Sequence, residues 1–130
     1  MTTRAVRVGQ GISQLKEPGM KHDEYEQHVQ EFTDEMRAVT LTKNKDYCAG
    51  TADAMHDYHA AAVESAITPM QAWSVFMMKH VRAIQRYVKT GSVSSESIQG
   101  RFIDLANYAM LGSALVKDLE KRKIEEESKR

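Results

Sequence analysis

Apolar residues recur along most of this chain with the period of an α-helix. Tyr25, Val29, Phe32, Met36 and Val39 follow one another at alternating steps of four and three, which gathers them on one helical face. Asp23 and Glu24 open that stretch, where negative charge complements the helix dipole. Between Leu41 and Thr51 the periodicity stops, and residues 42–50 read as a polar loop closing on Gly50. A second helix is predicted over residues 52–65, with Ala54, Met55, Tyr58, Ala61 and Ala62 facing inward. Thr68-Pro69-Met70-Gln71 is a helix-start signal: a threonine cap, a proline at the first position and a glutamine three residues after the cap. The third helix runs from there to about Lys89, and Gly91 ends it. Ser94 or Ser95 caps a fourth helix, with Glu96 in its first turn. That helix reaches at least Leu119 and frays within the charged stretch from Lys117 to Arg130. No segment alternates with a period of two, so the predicted fold is all-α: a four-helix bundle with an irregular N-terminal arm and a charged C-terminal helix end.

The pattern divides the chain into an arm (1–22), a helical domain (23–120) and a charged tail (121–130). A length of 130 residues suits one domain. Eighteen Lys and Arg balance eighteen Asp and Glu, so the net charge is zero and no basic stripe suggests direct nucleic-acid binding. No apolar run is long enough for a membrane span, and none reads as a signal peptide. Cys48 has no partner for an internal disulfide, which fits a cytoplasmic protein, and it reads as a small half-buried residue rather than a reactive thiol.

Candidate chemistry begins with Asp104, a carboxylate inside an otherwise apolar helical stripe. Such a group loses hydration unless a cation or hydrogen-bond donors replace it. Asn107 and Tyr108 follow one turn later, and Arg101 and Glu96 precede on the same side of the helix. In the first helix Glu31 and Glu35 stand one turn apart, a spacing at which two carboxylates can share a divalent ion, or simply form a solvated acidic face. Lys43-Asn44-Lys45-Asp46-Tyr47 sets two cations, an amide and a carboxylate beside an aromatic ring. In the third helix the run Trp73 to Val81 is apolar on most sides, yet Lys79, Arg82 and Arg86 make a cationic strip suited to phosphate oxygens or to ion pairing. His80 reads as a helix histidine with a structural partner. Trp73 and the methionines read as packing. His56, Asp57 and His59 are rich in ligand atoms, but no further His or Cys stands near them to complete a zinc site.

Lys43-Asn44-Lys45-Asp46-Tyr47, then Trp73 to Arg86 with Lys79-His80, then Ser95 to Tyr108 resemble the MazG-like all-α nucleotide pyrophosphohydrolases, including the phage dATP/dGTP diphosphohydrolase-type domains. The resemblance covers residues 24–116. It implies cleavage of a nucleoside triphosphate, a purine deoxynucleotide first among them, to monophosphate and pyrophosphate with Mg²⁺ or Mn²⁺. It also implies a homodimer or homotetramer acting in nucleotide-pool metabolism, in the host cytoplasm if phage-encoded. On this resemblance the metal ligands are Glu31, Glu35, Asp46, Glu96 and Asp104. The catalytic groups are Glu35, Asp104 and Lys79. Substrate would meet Lys43, Asn44, Tyr47, Lys79, Arg86, Arg101, Asn107 and Tyr108, with Tyr47 or Tyr108 stacking the base and Asn44 or Asn107 reading its edge.

The chain departs from the family pattern at three points, the first being that no Glu pair at three-residue spacing stands in the middle of the first helix. Arg101, not a glutamate, precedes Asp104 by three residues, and Gly100 stands where some relatives carry a carboxylate. The missing carboxylates favour an alternative, a module that binds a nucleotide or nucleotide-like signal without cleaving it. A helical adaptor for a protein partner is the third reading.

Overall fold

The computed structural model describes residues 19–47, 50–92 and 96–130, without the side chains of Asp46 and Tyr47. The predicted N-terminal arm up to Pro18, Cys48, Ser94 and Ser95 therefore lie outside the described residues. Among the described residues four helices follow in order: α1 (His22–Tyr47), α2 (His56–Ser65), α3 (Pro69–Thr90) and α4 (Ile98–Ser128). No strand occurs among the described residues. The all-α expectation holds.

Helix α1 carries Asp23 and Glu24 in its first turn and Lys45 in its last, both signs placed to favour the dipole. It runs six residues past the predicted end at Leu41. Residues 42–47 contain neither glycine nor proline, so nothing in the backbone stops the helix once the apolar period fades. Lys43 and Asn44 are therefore presented from a helix, not a loop. The chain divides after Glu31 into two units. In the first, residues 22–31 of α1 are mostly exposed, and Gln27 Nε2 donates to Glu31 Oε1 at 3.0 Å.

The second unit, from Phe32 onward, holds the core. Helix α2 starts at His56, four residues later than predicted, because Asp53 folds the preceding segment into a turn: its Oδ1 accepts from the Met55 N–H at 2.9 Å. It ends on Ala66 in the left-handed region, at a φ of 54°. Helix α3 begins as its sequence dictates. Thr68 Oγ1 accepts from the Gln71 N–H at 3.1 Å, and Gln71 Oε1 accepts from the Thr68 N–H at 2.9 Å. Gly91, with a φ of 73°, closes it through an N–H donated to the Tyr87 carbonyl at 2.7 Å. Helix α4 is capped by Ser97, whose Oγ accepts from the Gly100 N–H at 3.0 Å, so Glu96 precedes the helix instead of lying in its first turn. The helix continues through most of the charged end and stops at Ser128, within the stretch where the sequence placed its end.

Met55, Tyr58 and Leu115 form the centre of the core, with Met70, Trp73, Leu111 and Leu119 packed around them. Leu115 is fully buried, worth about 2 kcal/mol of hydrophobic stabilisation. Ala72 and Ala83 are buried on α3 and Gly112 on α4, small residues that let these helices approach closely. No helix among the described residues is long and apolar enough to cross a membrane.

Candidate functional site

Asp104 sits where α1, α3 and α4 converge. Its Oδ1 lies 3.4 Å from Lys43 Nζ of α1, and its Oδ2 lies 3.5 Å from His80 Nδ1 of α3. The carboxylate is only 14% exposed, and the Lys43 ammonium, which donates to it, replaces part of the water it has lost. The polarity of Asp104 within an apolar helix is thus matched by a cation that donates to it from α1, while the His80 Nδ1 beside it makes no hydrogen bond.

His80 is held on a second side by Tyr108, whose ring stacks on the imidazole at 4.9 Å between centroids and 30° between planes. Burial pushes the His80 pKa below the ordinary histidine range; Asp104 opposes that shift, Arg101 adds to it, Glu96 opposes it and Lys43 adds to it. The imidazole is accordingly neutral at pH 7. Tyr108 is itself fixed through its backbone, since Trp73 Nε1 donates to its carbonyl oxygen at 2.7 Å.

Two cavities meet at this cluster. The larger, about 470 Å³, is walled mainly by apolar atoms of Tyr58, Ala61, Phe76, Tyr108 and Leu111, with Asn44, Asp57 and Glu64 adding polar groups. The smaller, about 20 Å³, lies among Thr40, Lys43, Asp104 and Asn107. Asn44, Tyr108 and Leu111 border both. An aromatic-walled space of several hundred Å³ beside a few converging polar groups has the build of a small-molecule site.

The structure gathers five of the sequence-predicted residues: Lys43, Asn44, Asp104, Asn107 and Tyr108. The other candidates with described side chains do not line the small chamber. Lys79 is exposed, with its Nζ 5.7 Å above the Phe76 ring, and Arg86 is exposed. Glu96, 55% exposed, faces Arg101, with Oε2 3.7 Å from the arginine Nε. Glu35 is exposed on α1, and Glu31 belongs to the other unit. Asp46 and Tyr47 end α1, and their side chains lie outside the described residues. Among the described residues no three His, Cys, Asp or Glu side chains converge as a metal shell.

Sequence reasoning missed two contacts. His80 meets a carboxylate on a different helix, and only the tertiary fold brings it there. The second is an ion network outside the site. His59 Nε2 lies 2.7 Å from Asp118 Oδ2, which also accepts from Arg122 Nε at 3.0 Å, while Arg122 Nη2 donates to Asp53 Oδ2 at 2.8 Å. The four-residue step from Asp118 to Arg122 was the one local signal for it. This network gives His59 a carboxylate partner on α4.

Compared with known proteins, the chain matches no family model, no curated sequence and no solved structure.

Proposed function

We propose that this protein binds a nucleotide, its planar base in the 470 Å³ cavity and its polar groups toward Lys43, Asp104 and His80. The observation that carries the reading is the shared wall: Asn44 and Tyr108 border both the apolar cavity and the polar chamber. A base needs a slot with aromatic sides and a few fixed polar groups at one end, and this arrangement supplies both. Lys43, half-exposed at the rim, supplies a cation that can turn from Asp104 to a phosphate oxygen.

Metal-dependent cleavage to monophosphate and pyrophosphate is the second reading, favoured by Asp104 and Asn107 lying one turn apart at a cavity. As arranged, the carboxylates do not fit a divalent-ion shell. An ion would have to displace Lys43 and His80 from Asp104 and draw Glu96 from Arg101. Binding therefore takes precedence over hydrolysis.

The test is calorimetry of the full chain with deoxy- and ribonucleoside triphosphates, with and without Mg²⁺, alongside an assay for released pyrophosphate. Purine deoxynucleotides head the panel, following the resemblance to the MazG-like enzymes. Binding without product is the expected result. Pyrophosphate release that Asp104→Ala abolishes would promote the second reading. Failure to bind any nucleotide would overturn both and leave a helical adaptor.

A further inference from the structure

Asn107 is 5% exposed, and neither its Nδ2 nor its Oδ1 has a hydrogen-bond partner. A buried carboxamide with no partner is costly, and a leucine, which has the same branched shape without the polar atoms, would suit the helical core better. Asn107 lines the small chamber with Thr40, Lys43 and Asp104. Asn44, the other amide nearby, already has work: its Nδ2 donates to the Ala54 carbonyl at 2.9 Å and ties α1 to the segment before α2.

We infer that Asn107 reads the base: its carboxamide pairs with the edge of a nucleobase that carries an exocyclic amino or carbonyl group next to a ring nitrogen. This rests on the nucleotide reading and adds the residue and the ligand group that give it selectivity. A carboxamide presents one donor and one acceptor side by side, the complement of such an edge. A phosphate or carboxylate offers acceptors alone and would leave the Asn107 oxygen unpaired. Size points the same way. At about 20 Å³ the chamber admits one exocyclic group but no ring, and the ring stays in the adjoining 470 Å³ space beside Tyr108. A single water molecule also fits the chamber, so a water held on Asn107 is the competing occupant.

Calorimetry of the full chain with paired ligands separates these cases: each nucleoside triphosphate, the matching analogue lacking its exocyclic group, and inorganic tripolyphosphate. The wild-type protein is expected to bind the analogue at least about tenfold more weakly, because a site built for a hydrogen bond rejects a ligand without it. Asn107→Leu is expected to erase that preference while its melting temperature stays level or rises. Asn107→Asp, which keeps the size but turns the donor into an acceptor, is expected to erase it too and serves if the leucine variant does not fold. Equal binding of all triphosphates and of tripolyphosphate by the wild type would overturn the inference while sparing a phosphate-directed nucleotide site. An Asn107→Leu protein that melts lower yet keeps the wild-type order of ligands would show a structural hydrated amide and also overturn it. No binding of any nucleotide would remove both readings together.

Discussion

The indole of Trp73 lies directly against the backbone of Gly112, so that a Cβ on that glycine would stand 2.6 Å from two ring carbons. From this seat the same indole donates to the Tyr108 carbonyl one turn earlier. The contact joins core packing to the site, because Tyr108 is the ring that stacks on His80 and walls both cavities. Here glycine serves close approach and not an unusual dihedral.

Gly112→Ala must therefore move Trp73 or part α3 from α4. Overpacking of this kind costs about 1–3 kcal/mol. Urea unfolding is expected to show a lower midpoint at unchanged slope, and nucleotide affinity is expected to fall with it as Tyr108 shifts. A variant as stable as the wild type would mean that the indole has room to move.

His80 sets a pH dependence of definite sign. Burial, the largest influence, holds its folded pKa below the unfolded value of about 6.5, against the pull of Asp104. Between those two values the unfolded chain binds more protons, so stability rises with pH across the window. Its contribution is fully present above about pH 6.5 and declines as the pH falls toward the lowered value. Urea midpoints are expected to be lower at pH 5 than at pH 7.5, and His80→Leu is expected to flatten that difference. An undiminished difference in the variant would assign it to other groups.

Asp118 acts in a more acidic window. Burial raises its pKa, but hydrogen bonds from His59 and Arg122 outweigh burial and leave it below the ordinary carboxylate range. The stability it lends is present above the unfolded value of about 3.9 and is lost as the pH falls through the lowered one. With Arg122 44% exposed, solvent screening keeps the pair small, and Asp118→Asn is expected to cost about 1 kcal/mol at pH 7. The loss should disappear once the pH has fallen below the lowered pKa of the folded state, where both proteins carry a neutral group. A double-mutant cycle with Arg122→Ala measures the coupling directly.

Local chemistry made the helix boundaries legible where a single residue type decides them. Thr68, Pro69 and Gln71 announced the start of α3, and Gly91 its end. The end of α1 was hidden because polar residues without glycine or proline neither mark a loop nor forbid a helix. The sequence pointed to Ser94 or Ser95 as the cap of α4, but Ser97 takes that place, because a serine cap signal alone does not fix which of several nearby serines starts the helix. Within the site, Asp104 betrayed itself as a charge in an apolar stripe, and Asn107 and Tyr108 followed by helical spacing. His80 and Lys43 reach Asp104 from helices 24 and 61 residues away in the chain, a convergence that periodicity does not encode. The cationic strip of Lys79, Arg82 and Arg86 was read correctly as one face, but that face is exposed.

The surface left over argues for self-association. Val63 on α2 and Val75 and Val88 on α3 are 84%, 58% and 79% exposed, whereas Leu115 is fully buried. On α4, Phe102 and Val116 lie on the same side, turned away from the buried Ile103 and Leu115. A domain that leaves this much apolar surface in water gains by covering it with a second copy. Light scattering at micromolar concentration is expected to give the mass of a homodimer or homotetramer. Phe102→Glu together with Val116→Glu, which leaves the core side of α4 untouched, is expected to lower that mass without loss of helicity. A wild-type monomer at that concentration would defeat the expectation, and the exposed side chains would then await a different partner.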